Sequence, residues 1–124
     1  MANAYQDLIA WQKATQLALE IYRCTRTFPR DELYGLTSQM RRAAVSVASN
    51  IAEGKGRYSH KEFLQFLYRA RGSLLELQTQ LFIARELDYL ESTASQRLKD
   101  KSDELGRILN GLTTSVRSSI IPSS

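Results

Sequence analysis

The sequence predicts an all-α fold, an antiparallel up-down-up-down bundle of four helices forming one domain over residues 1–124. Three observations predict it. Two prolines and six glycines in 124 residues leave few places for the chain to turn back, so its elements must be long. Five of these prolines and glycines, Pro29, Gly35, Gly54, Gly56 and Pro122, cut the chain into four pieces. Each piece repeats its apolar residues at intervals of three and four, and no stretch alternates as a half-buried strand would.

The first helix is expected over residues 7–27. Leu8, Trp11, Ala18 and Tyr22 make one apolar row, and Ala14, Leu17, Ile21, Cys24 and Phe28 make a second beside it. Phe28-Pro29 stops it, because proline disfavours helical geometry in the residue before it and has no N–H for the preceding turn. The second helix is expected over 31–53 with Asp31 as its cap, an irregularity at Gly35, and Leu36, Met40, Ala43, Val47 and Ile51 on its apolar face. Ala43, Ala44, Ser46, Ala48 and Ser49 would let a neighbouring helix come close. Gly54 is the candidate left-handed cap that ends it.

The third helix, over 59–88, opens on a capping-box pattern, Ser59-His60-Lys61-Glu62. Phe63, Leu67, Ala70, Leu74, Leu77, Leu81 and Ala84 then follow in strict 4/3 alternation, the signature of a long heptad helix. A mixed stripe of Leu64, Tyr68, Leu75 and Phe82, interleaved with Arg71 and Gln78, runs beside it and serves either as additional core or as a subunit interface. The fourth helix, over 92–118, carries Leu98, Leu105, Leu109, Leu112 and Val116 before Pro122, with a frayed tail over 118–124.

Composition narrows the function classes. With 43% hydrophobic and 24% charged residues the chain can hold a core without staples, and its lone Cys24 cannot form an internal disulfide. No run approaches ~18 apolar residues and the N-terminus lacks a signal-peptide pattern, so a cytoplasmic protein without membrane spans is expected.

The run YGL-x-x-Q-x-RRA at Tyr34 to Ala43 and the run SNIAEG at Ser49 to Gly54 carry a resemblance. With WQKATQLALEIY in the first helix and GSLLELQTQLFIARELDYL in the third, they resemble the 23S rRNA intervening-sequence protein family over about Leu8 to Leu90. Val47-Ala48 stand where that family usually has Ile-Pro, which leaves the second helix without the proline that would kink it. The bundle is also similar to the accessory protein of diversity-generating retroelements, a pentameric barrel that binds nucleic acid and a reverse transcriptase. The resemblance implies a homo-oligomer, a pentamer above all, with RNA or DNA as a partner and a reverse transcriptase as an alternative one.

Charge points the same way. Net charge is only +4, yet between residues 41 and 71 seven cations, Arg41, Arg42, Lys55, Arg57, Lys61, Arg69 and Arg71, face two carboxylates, Glu53 and Glu62. That local excess of five leaves the rest of the chain slightly acidic. Arginine dominates it, its planar fork matches phosphate oxygens, and Tyr58 and His60 in the same turn offer rings for an unpaired base. The competing reading is a solvated bundle end whose arginines pair with Glu53 and Glu62. Asn50 and Glu53, one turn apart in an otherwise small and apolar stretch, are assigned a structural polar role, pairing with Arg41, Arg42 or a neighbouring helix.

Catalysis, metal and cofactors have little to rest on. His60 is the only histidine and falls inside the capping box. One His and one Cys a helix apart are not a ligand set, and Gly54-Lys55-Gly56-Arg57 lacks the spacing and preceding strand of a phosphate loop. Cys24 reads as a small core residue. A non-enzymatic binding protein is therefore expected, with a protein-docking scaffold as the alternative.

Overall fold

The computed structural model describes residues 4–120. Four α-helices, α1 (Ile9–Thr25), α2 (Leu36–Lys55), α3 (His60–Glu86) and α4 (Ser92–Ile120), fill it, with short 3-10 turns at Tyr5–Asp7 and Arg30–Glu32 and no strand among the described residues.

Cross-helix contacts fix the topology. Ser46 meets Ser73 while Gly54 lies against Phe63 and Phe66, so α2 and α3 run antiparallel. Gln78 meets Ser102 and Tyr68 meets Arg117, which makes α3 and α4 antiparallel. Lys13 pairs with Glu104 and Glu20 with Arg97, which does the same for α1 and α4. Directions therefore alternate round the bundle, up-down-up-down, and each helix touches only its two neighbours in the ring.

The heptad stripe of α3 is the central seam: Phe63, Leu67, Ala70, Leu74, Leu77, Leu81 and Ala84 are all buried. Facing it are Met40, Val47 and Ile51 of α2 and Leu98, Leu105 and Leu109 of α4. In α1 the core row is Ala10, Ala14, Leu17, Ile21 and Thr25, which shares Ala14, Leu17 and Ile21 with the second expected row; Cys24 of that row is half-buried, as are Trp11 and Ala18 of the first, and Tyr22 is exposed. Of the mixed α3 stripe, Leu64 packs on the edge of the core, whereas Tyr68, Leu75 and Phe82 stay exposed. That stripe is not core in a single chain.

The helix ends differ from expectation in two places. Asp31 does not cap α2: Arg30–Glu32 close into a 3-10 turn, α2 begins at Leu36, and Glu32 Oε1 accepts from the Leu36 N–H at 3.1 Å. The other carboxylate oxygen of Glu32 accepts from Tyr89 Oη at 2.9 Å, and this bond chiefly holds the Tyr89 phenol above its usual range. Gly54 is not a left-handed cap either. It is the buried next-to-last residue of α2, no glycine has positive φ among the described residues, and Gly56 caps the helix in right-handed geometry.

The left-handed position falls instead at Asp88, φ 61°, where Tyr89 N–H reaches Ala84 C=O at 2.9 Å and Asp88 N–H reaches Arg85 C=O at 3.0 Å. Those two bonds end α3 in a Schellman motif built without glycine. At the other end of α3 the Ser59 hydroxyl oxygen accepts from Glu62 N–H at 3.1 Å, as the capping box requires. Residues 118–120 are described, with α4 continuing to Ile120; Pro122 and the rest of the tail lie outside the described residues.

Two stability outcomes follow from this packing. Leu77 is fully buried mid-seam, so Leu77→Ala should cost about 2–5 kcal/mol in denaturant melts; a loss below ~1 kcal/mol would take Leu77 out of the core. At Gly54 an added Cβ would lie 2.6 Å from Phe66 Cβ and 2.9 Å from Phe63 Cδ1, so Gly54→Ala should lose about 1–3 kcal/mol. Gly72→Ala and Gly111→Ala meet nothing within 4 Å and should gain up to about 1 kcal/mol from helix propensity. Equal thermal shifts for all three variants would show that the α2–α3 contact at Gly54 is not tight.

Candidate nucleic-acid interface

The seven basic residues between positions 41 and 71 are divided among different faces of the bundle, because successive helical residues point in different directions. Arg41 leans toward α1, where its Nε donates to Thr25 Oγ1 at 2.9 Å and its guanidinium lies 4.8 Å from the Tyr22 ring centroid. Arg42 lies on the rim of the α2–α3 groove with Gln39, Ser46 and Glu76. Arg71 lies on the opposite flank of α3, on the α3–α4 groove beside Leu75, Asp103 and Arg107. Arg41 is also roughly 20 Å along α2 from Lys55.

Lys55, Arg57 and Arg69 do come together around the turn from α2 to α3, with Lys61 in the first turn of α3. The two arginines meet at Phe66. The missing Cβ of Gly54 lets α3 close onto α2, which seats Phe66 at 8% exposure against the end of α2. Arg57 then lies 4.7 Å and Arg69 4.6 Å from the Phe66 centroid, and Lys55 lies 5.9 Å from that of Phe63. Both guanidiniums are thus held at one ring by cation–π attraction, at most about 9 Å apart, or roughly one Debye length at physiological salt.

Among the described residues none of the seven cations makes an ion pair; the pairs that form use Lys13, Arg85, Arg97, Lys99 and Lys101. The competing reading, in which Glu53 and Glu62 pair with the arginines of the cluster, is not met among the described residues. Glu62 is engaged with the Ser59 hydroxyl at 3.2 Å, and Glu53 is exposed.

The polar pair also resolves differently. Asn50 Nδ2 donates to Ser46 C=O at 2.8 Å and to Ser46 Oγ at 3.0 Å, and Ser46 Oγ meets Ser73 Oγ at 2.8 Å. Asn50 thus has a structural contact across α2–α3, but through serines and not through Arg41 or Arg42. Those arginines lie more than two turns earlier on α2, and helical side chains lean toward the N-terminus, away from Asn50. Glu53 joins no such contact.

His60 Nδ1 meets Ser119 Oγ, tying the start of α3 to the end of α4 instead of standing free beside Tyr58. Cys24 is half-buried, its thiol donating to Ile21 C=O at 3.4 Å, and burial pushes that thiol up to about 11, far from a thiolate nucleophile at neutral pH. No helix among the described residues is long and apolar enough to cross a membrane.

Phe66 is the residue of this candidate site that sequence reasoning missed. Its signal was available in part, since Arg69 follows Phe66 by three residues and so shares its helix face. Arg57 belongs to the same ring only through the turn.

A protein of unknown function from the S23 ribosomal protein family of Bacteroides thetaiotaomicron has the same fold, with a TM-score of 0.79 at 18% identity over 86% of this chain and 96% of that one. No curated protein matches the chain. The sequence model for the 23S rRNA-intervening sequence protein matches residues 6–111, nearly the whole bundle, and the chain belongs to that family.

Proposed function

We propose that this protein is a non-enzymatic RNA-binding module that acts in the cytoplasm as a homo-oligomer, gripping phosphates through Lys55, Arg57, Lys61 and Arg69. The observation that carries the reading is the pair of guanidiniums held at Phe66, neither of them in an ion pair among the described residues. Such a pair is a preorganised anion clamp, because the repulsion between the two charges is already met in folding and a phosphate relieves it. The family's description, which refers to 23S rRNA, favours RNA among polyanions.

Self-association supplies what one chain lacks. A single clamp is a modest site, and repeating it around a ring of copies, five in the arrangement that the resemblance implies, multiplies its charge. Exposed Leu75 and Phe82 on the α3–α4 face are the surface such a contact would bury. The same stripe supports a second reading, in which the protein is a scaffold that docks a polymerase such as a reverse transcriptase.

Replacing Arg57, Lys61 and Arg69 together by Gln should weaken RNA binding and flatten the slope of log K against log salt by about 2–3, with circular dichroism unchanged. Arg41→Gln should instead lower the melting temperature, because its contacts to Tyr22 and Thr25 are lost, and should leave RNA affinity nearly intact. A folded triple variant that binds like the parent across the salt series would hand the case to the scaffold. Light scattering should give a mass above a dimer for the parent and a smaller one for Leu75→Glu/Phe82→Glu. A parent mass near 14.1 kDa at micromolar concentration would overturn the oligomer.

A further inference from the structure

Two aromatic side chains of the protein are almost wholly in water. Tyr58 is 105% exposed at the tip of the α2–α3 turn, and Tyr34 is 93% exposed before the start of α2, at the other end of the bundle. Neither ring has an aromatic or cationic partner among the described residues. Their surroundings separate them. Tyr34 follows Asp31 and Glu32 with only Arg30 against them, whereas Tyr58 stands among Lys55, Arg57 and Lys61.

We propose that the α2–α3 turn takes an unpaired nucleotide, with the Tyr58 ring stacked on the base while Arg57 and Arg69 hold the neighbouring phosphate. This rests on the phosphate-binding role argued above and narrows it to single strands and loops. In a duplex each base is covered on both faces by its neighbours, so a ring that makes contact through its face finds a partner only where bases are unstacked.

The polar side chains of Ser59, His60 and Glu62, which follow Tyr58, already have partners within the protein. Gly54 and Gly56 have no side chains, Ser59 and Glu62 bond each other, and His60 is engaged with Ser119. Contact through the face of the base and through its phosphate tolerates any sequence, so recognition here is of strandedness and not of sequence.

The test uses the full chain and three dye-labelled probes, a 12-nucleotide oligo-U, a 12-nucleotide oligo-A and a 12-base-pair RNA duplex, titrated by anisotropy at one salt concentration. The parent should favour both single strands over the duplex. Tyr58→Ala should lose about 5- to 100-fold on the single strands and little on the duplex, Tyr58→Phe should retain binding, and Tyr34→Ala should match the parent. Because the Tyr58 and Tyr34 rings both stand in solvent, all three variants should keep the parent's melting temperature.

Should Tyr58→Ala bind single strands like the parent while Arg57→Gln/Arg69→Gln weakens them, the phosphate clamp stands and the stacking proposal falls. Equal losses on single strand and duplex overturn it as well. A parent that binds none of the probes removes the clamp and the stacking together.

Discussion

At Gly54 the backbone of α2 comes so close to α3 that a methyl group would overlap Phe66 Cβ, and the arrangement of the bundle's basic end depends on that approach. The contact brings Phe63 and Phe66 against the last turn of α2 and so fixes where α3 begins its path across the bundle. Phe66, once seated, becomes the ring at which Arg57 and Arg69 gather. A glycine in a helix costs about 1 kcal/mol of intrinsic propensity relative to alanine. Here the cost is offset by packing that no other residue permits, and the same packing places charge.

The two ends of the bundle are held by different chemistry. At the end carrying the α1–α2 and α3–α4 connections, Phe28 is buried beside the Tyr89 ring, Tyr89 bonds Glu32, and Glu32 caps α2. One carboxylate therefore satisfies a helix start and a phenol from a distant connection. At the opposite end the carboxylates are few, His60 bridges to Ser119, and Arg117 donates to Tyr68 Oη at 2.9 Å. Positive charge is left without neutralising partners there, which suits a surface that meets a polyanion.

Much of the fold was legible in the chain because heptad spacing is a local property. The α3 seam is buried residue for residue as its 4/3 pattern requires, and the α2 face from Met40 to Ile51 likewise. The start of α2 was not legible, since its cap is the Glu32 carboxylate four residues earlier and not the residue beside it. In α1 two apolar rows were equally regular, and only packing against α2 and α4 selects Ala14, Leu17 and Ile21. The site was half legible. Its residue types and the turn that bears them were visible as an excess of charge, but a linear count cannot see that Arg41, Arg42 and Arg71 point away from the turn, nor that Gly54 serves an approach and not a bend.

Midway along the seam between α2 and α3, Asn50, Ser46 and Ser73 form a short polar chain in an otherwise apolar contact. Its bonds add little net energy, because each replaces one to water. What they add is registration. Apolar ridges can slide past one another by one turn, about 5.4 Å, and still pack, whereas a hydroxyl pair at 2.8 Å tolerates no such slip. Three small polar side chains well away from the α2–α3 turn thus work as a detent against sliding of α3 on α2, and so hold the register that seats Phe66 at the end of α2.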